Sequence, residues 1–154
     1  MEDQMSPIKW YKRYSVNNEE LDNHHKTLYD IFNRLYNICL GHESANCLNP
    51  IIEELISYSN YHFSSEEQHM RNIGYKEIDK HIIEHRDFAQ RALRLQKIAD
   101  KDKPEVTKEL IMYLAKWILN HILIEDKKYA LYQAECLDIN EKAELDARIR
   151  KDKY

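Results

Sequence analysis

Apolar residues recur every three or four positions along most of this chain, a spacing that gathers them on one face of an α-helix. Leu21, His25, Leu28, Phe32, Leu35 and Cys39 form one such stripe, and Ile51, Leu55, Tyr58, His62, Glu66, His69 and Ile73 form a second. A third runs through Ile78, His81, His85, Phe88, Ala92 and Leu95, and a fourth through Val106, Leu110, Leu114 (or Tyr113), Trp117, His121 and Ile124. Between the stripes lie residues that stop or start helices: Gly41 closes the first, Asn49-Pro50 opens the second as cap and first-turn proline, Gly74 closes it, and Pro104 opens the fourth. The pattern predicts helices near 19–40, 50–73, 77–99 and 104–136. Four such helices with short connections make an all-α fold, an antiparallel up-down-up-down four-helix bundle.

The two ends are expected to behave differently. Before residue 19, Trp10, Tyr11 and Tyr14 make the arm too aromatic for a loose tail, so it should pack across the bundle. Residues 138–154 are mostly charged, with Leu145 and Ile149 the sizeable apolar pair at helical spacing, and read as a solvated helix or tail. The expected division is therefore a bundle with its arm over 1–136 and a charged C-terminal extension over 137–154.

Composition supports the helices and narrows the function. Two glycines and three prolines interrupt 154 residues, 32% of them charged. Lysine and arginine number 23 against 27 aspartates and glutamates, a formal charge of −4, and no basic stripe breaks that balance, which argues against a nucleic-acid partner. Apolar runs are too short to cross a membrane, and the acidic start MEDQMSPIKW does not read as a targeting segment. Cys39, Cys47 and Cys136 form no Cys-x-x-Cys pair and look like reduced thiols, so a cytoplasmic location is expected.

The chemistry lies on the stripes. His25, His62, Glu66, His81, His85 and His121, with Asp126, put five imidazoles and two carboxylates inside one bundle. His62 to Glu66 and His81 to His85 are one helical turn apart, so each pair shares a face. Seven donors exceed what one ion takes from a protein and suggest two. Glu66 lies on a stripe without lysine or arginine, and its burial would cost several kcal/mol unless a cation pairs with it. Imidazole with carboxylate suits iron, manganese or zinc rather than calcium or magnesium. Asp126 stands five residues after His121, about 140° around an ideal helix, and joins only if its side chain reaches back or the helix widens, for example in a π-bulge.

The other histidines are weaker candidates. His42 beside Gly41 should face solvent, and His24 should lie at the surface or behind the ligands. Glu66 and His69 make a Glu-x-x-His, the element a ferritin-type di-iron site requires on two helices, but no second copy occurs.

These segments resemble the hemerythrins, in particular the single-domain bacterial ones. The similar stretches are SVNNEELDNHHKTL, YHFSSEEQHM, HIIEH with Phe88 after it, and WILNHILIEDKKY, spanning residues 10 to 129. The resemblance implies two iron ions joined by an oxo or hydroxo bridge and reversible binding of dioxygen, for carriage, storage or delivery, rather than an enzyme. One iron would take His81, His85 and His121, the other His25 and His62 with one open position, and Glu66 and Asp126 would bridge them. Trp117, Ile118, Ile122 and Phe88 would wall the oxygen pocket. An oxygen or redox sensor, or a peroxidase or oxidase on the same site, is the alternative, and an oxygen-consuming partner protein is a further expectation. The chain departs from the family's habit at Ser15-Val16-Asn17-Asn18, where Ser-Val-Gly-Val is frequent, at His24, often Gln, and at Gly74-Tyr75-Lys76, usually Gly-Tyr-Pro.

Overall fold

The computed structural model describes residues 7–101 and 104–151, with side chains to residue 148, so Ile149 of the expected tail pair and the chain ends lie outside it. Four rods pack as an antiparallel up-down-up-down bundle: α1 (Glu19–Cys39), α2 (Leu48–Asn72), α3 (Ile78–Ala99), and a fourth made of α4 (Pro104–Asn120), a π turn (His121–Glu125) and α5 (Asp126–Lys151). Each rod contacts its neighbours in sequence, and α4 returns against α1 to close the ring.

Local chemistry sets the ends of the first two rods. Asn18 caps α1 by accepting the Leu21 N–H. Both α1 and α2 finish in a Schellman turn with glycine in the left-handed region. Gly41 has φ +73° and Gly74 φ +69°, with His42 N–H bonded to Asn37 C=O and Tyr75 N–H to Met70 C=O, both at 2.9 Å. The start of α2 differs from expectation. Its cap is Cys47, so Asn49 lies within the first turn, where its amide donates to Asp100 at 2.9 Å.

Two of the expected stripes hold almost throughout. Leu21, His25, Leu28, Phe32 and Leu35 are buried on α1, and His81, His85, Phe88, Ala92 and Leu95 on α3. On α2, Tyr58 and His69 are only half-buried, and Ser59, Phe63 and Met70 take their places. On the fourth rod Leu114 and His121 face inward as expected, but Thr107, Ile111, Ala115 and Ile118 are buried beside them, while Val106, Tyr113 and Ile124 are exposed. Two adjacent faces of this segment are apolar, so periodicity alone selects neither, and packing against α1 and α3 decides.

The arm packs as expected. Asn33 of α1 clamps it, accepting the Ile8 N–H at 2.7 Å and donating to the Ile8 C=O at 2.9 Å. Trp10 and Tyr14 lie against Tyr29, and Tyr11 stays exposed. Asp22 holds the arm's far end by accepting from Ser15 Oγ (2.5 Å) and the Val16 N–H (2.9 Å). Asn17 adopts φ +57°, a conformation that asparagine tolerates better than most residues, which explains how the chain manages without glycine there.

No helix among the described residues is long and apolar enough to cross a membrane. Beyond residue 136, α5 continues without a break, and residues 137–148 are exposed. The three cysteines are free thiols.

Gly74→Ala should destabilise the metal-free protein by about 1–2 kcal/mol, because a side chain in the left-handed region is strained. An added Cβ would meet only the Tyr132 hydroxyl, at an ordinary 3.9 Å, so backbone strain would be the cause. Urea unfolding monitored by helical circular dichroism measures it, and an unchanged midpoint would contradict the Schellman reading.

Candidate metal centre

All seven sequence-predicted donors converge inside the bundle, nearer the end where α1 and α3 begin, each at most 3% exposed. His25 comes from α1, His62 and Glu66 from α2, His81 and His85 from α3, and His121 and Asp126 from the two ends of the π turn. The Asp126 N–H bonds to the His121 carbonyl, an i to i+5 link that completes about one turn in five residues. Residues that an α-helix would set about 140° apart therefore face the same point.

The donors fall into two groups, each with ligand atoms within 4.8 Å of one another. Glu66, His81, His85 and His121 form one, and His25, His62, Glu66 and Asp126 the other. In the first, His121 Nε2 lies 3.0 Å from His81 Nε2 and 3.1 Å from His85 Nε2. Asp126 turns one oxygen to each group: Oδ1 is 3.1 Å from His121 Nε2, and Oδ2 is 3.2 Å from His25 Nε2. Glu66 Oε2 approaches His85 Nε2 at 3.1 Å, and Oε1 lies 3.9 Å from His25 Nε2.

This arrangement fits metal ions. Neither ring nitrogen of His25 or His62 is hydrogen-bonded, and neither Asp126 oxygen accepts a hydrogen bond, although all are buried. Such unsatisfied groups are costly unless something else binds them. Burial, and for Glu66 the neighbouring Asp126, press the two carboxyls toward protonation, yet the imidazoles facing them outweigh this and leave both well below the carboxylate range. Burial likewise opposes charge on His81 and His121, but Asp126 with Glu66 raises His81 to about 9, and Asp126 with Glu84 raises His121 to about 10. His62 goes the other way, lowered to about 3 by burial. Two buried negative charges thus demand positive charge, from protons or from metal.

Groups behind the donors hold them in place. His85 Nδ1 donates to Glu67 at 3.0 Å and His121 Nδ1 to Glu84 at 2.9 Å, which turns the Nε2 lone pairs inward. The Tyr129 hydroxyl donates to Glu66 Oε1 at 2.6 Å. Aromatic plates brace the imidazoles: Phe63 stacks on His85 with centroids 4.0 Å apart, and Trp117 on His121 at 4.5 Å. Phe88 packs against both plates, while Ile118 and Ile122 are fully buried in the same core. Glu67, Glu84, Phe63 and Tyr129 were not expected from the sequence. Glu84 and Tyr129 reach their partners from other rods, a relation that leaves no mark in periodicity.

The remaining histidines lie outside both groups. His42 is exposed as expected. His24 is buried, its ring 4.9 Å from Tyr61 and edge-on to His62 at 5.7 Å, so it stands behind His62 rather than at the surface. His69 joins α2 to Gln133 at 3.1 Å and approaches Asn18 at 3.4 Å, and takes no part in a Glu-x-x-His site.

With this geometry, a match to the hemerythrin HHE cation binding domain over residues 16–131 decides the family. The chain belongs to the hemerythrins. It is 30% identical over 124 residues to a bacteriohemerythrin of Clostridium acetobutylicum, covering 78% of this chain and 96% of that one. It is 33% identical to a bacteriohemerythrin of Campylobacter jejuni, covering 80% and 93%. The crystal structure of a wild-type hemerythrin superposes with a TM-score of 0.72 at 28% identity, over 81% of this chain and 96% of that one. The hemerythrin match ends at residue 131, so most of α5 lies beyond it.

Despite burial, the carboxylates raise His81 to about 9 and His121 to about 10, so in the metal-free protein these imidazoles are held toward the protonated form, and a metal taking their Nε2 atoms would displace protons. Adding zinc(II) to the metal-free protein at pH 7 should release about one proton or more per chain. A pH-indicator titration in weak buffer counts it, and release of none would mean that these imidazoles are not ligands.

Proposed function

We propose that this hemerythrin binds dioxygen reversibly at a di-iron centre and serves in the cytoplasm as a carrier or store rather than as an enzyme. The observation that carries the reading is the pair of donor groups sharing Glu66, with Asp126 turning one oxygen to each. In the proposed assignment His81, His85 and His121 would hold one iron, His25 and His62 the other, and Glu66 and Asp126 would be shared by both. Two iron(II) ions would supply the electrons that a bound dioxygen takes up and returns.

The protein's part is to favour return over onward reaction. Five neutral imidazoles and two carboxylates contribute only two negative charges, less than a carboxylate-rich site that stabilises strongly oxidised iron. Glu67 and Glu84 fix the orientation of His85 and His121, so the donors need not reorganise as charge moves. Tyr129, donating to Glu66 Oε1 from a position with its own ionisation raised by burial and by Glu66, keeps its proton and holds the bridge. Ile118 and Ile122, with Phe88 and Trp117, keep water and protons from the centre.

Anaerobically reduced protein should contain about two irons per chain and develop a visible band when oxygen is admitted, which fades when oxygen is withdrawn. Immediate and irreversible oxidation would favour a redox enzyme or sensor instead. Glu66→Ala should lose most of one iron equivalent, read by metal analysis. Ile122→Ala should shorten the lifetime of the oxygenated form several-fold, and an unchanged lifetime would remove Ile122 from the pocket wall.

A further inference from the structure

The chain is acidic, yet one face is not. Along residues 7–18 there are three cations, Lys9, Lys12 and Arg13, all exposed, and no aspartate or glutamate. Lys26 of α1 adds a fourth, its ammonium 5.6 Å from the centre of the Trp10 ring. The Arg13 guanidinium lies over both Tyr11 and Tyr14, 5.0 and 5.2 Å from their centres. Among the described residues these cations surround an aromatic cluster rather than a carboxylate partner.

That cluster connects the surface to the metal centre. Tyr11 is 49% exposed and touches Tyr14 (centroids 5.5 Å apart), Tyr14 touches Trp10 (5.8 Å), and the Trp10 ring lies 6.1 Å from His25. His25 belongs to the donor group with two imidazoles. Asn33 and Asp22 pin the two ends of the arm, so the stack is held in place. Three other aromatic routes lead outward, and each has a carboxylate beside it: Glu84 binds His121 next to Trp117, Glu20 acts on His24 next to Tyr61, and at Tyr75, reached from His81 through Tyr129, Lys80 and Lys128 are paired with Glu77 and Glu125.

Resting on the di-iron reading above, we infer that the arm is the docking face for an acidic one-electron carrier protein, and that the Trp10 stack is the path by which its electrons reach the iron held by His25. Two encounters deliver two electrons: two reduced carrier molecules each give up one electron, two iron(III) ions become two iron(II), and the transfer itself neither forms nor breaks a bond. A cationic collar on an acidic protein gives local attraction and a fixed orientation, which raise the rate of productive encounter.

A plant-type [2Fe–2S] ferredoxin serves as the acidic probe. Mixed anaerobically with the oxidised iron-loaded protein, the reduced ferredoxin should give up its electron at a bimolecular rate that falls as salt rises through about 0.1 M. The triple variant Lys9→Glu, Lys12→Glu, Arg13→Glu should slow this at least tenfold at low salt, while reduction by a small neutral reductant and iron content stay as in the parent. Trp10→Leu should slow electron transfer several-fold at saturating ferredoxin, where binding no longer limits the rate. Calorimetric titration of oxidised ferredoxin into the metal-free protein reads docking without iron, so failure of the metal assignment cannot be mistaken for failure of the face. Binding and rate that ignore both charge reversal and salt would overturn the docking face, and parental electron transfer in Trp10→Leu would overturn the path. If the triple variant loses helicity, the milder glutamine triple should still weaken binding, and parental binding there would also overturn the face.

Discussion

Two carboxylates without solvent contact, Glu66 and Asp126, face five imidazoles inside the bundle, and the rest of the structure is arranged around that meeting. Burying two negative charges in an apolar core costs several kcal/mol apiece unless positive charge answers them closely. The answer comes from every rod, since no rod alone presents enough donors on one face. Bound metal and fold would therefore be coupled: a cation would neutralise what the core cannot tolerate, and the core holds the donor groups where a cation would need them.

The π turn is the local consequence. A continuous α-helix could aim either His121 or Asp126 at the centre, and the widened turn lets it aim both. It also allows the rod to present one face before the turn, with Ile111, Leu114 and Ile118, and another after it, with Tyr129 against Met70 and Tyr75. The donors stand where these two hydrophobic phases meet.

Much of this was legible in the residues, and the gaps have physical causes. The seven donors stood out because charged or polar groups repeated on otherwise apolar stripes, a pattern solvent-facing residues do not produce. A π-bulge was foreseen as one way for Asp126 to join, because His121 and Asp126 are wrongly spaced for an α-helix. The inward face of α4 was placed only in part, at Leu114, because Val106, Leu110 and Trp117 compete with Thr107, Ile111 and Ile118 for the same periodicity. The start of α2 was placed late because Asn49-Pro50 carries a strong capping signal, while the cap it takes, Cys47, carries none. Glu84, Phe63 and Tyr129 act across rods, and the basic collar of the arm was diluted by the chain's acidic total.

The π turn has a mechanical consequence as well. Asp126 is the first residue of a helix that runs 26 residues to Lys151, about 39 Å, and from residue 137 its side chains are exposed as far as residue 148. A buried carboxylate thus sits at the fulcrum of a lever. A tilt of about 5° at Asp126 would carry the far end through about 3 Å, so a small shift of one carboxylate in the core is translated into a displacement at the molecular surface.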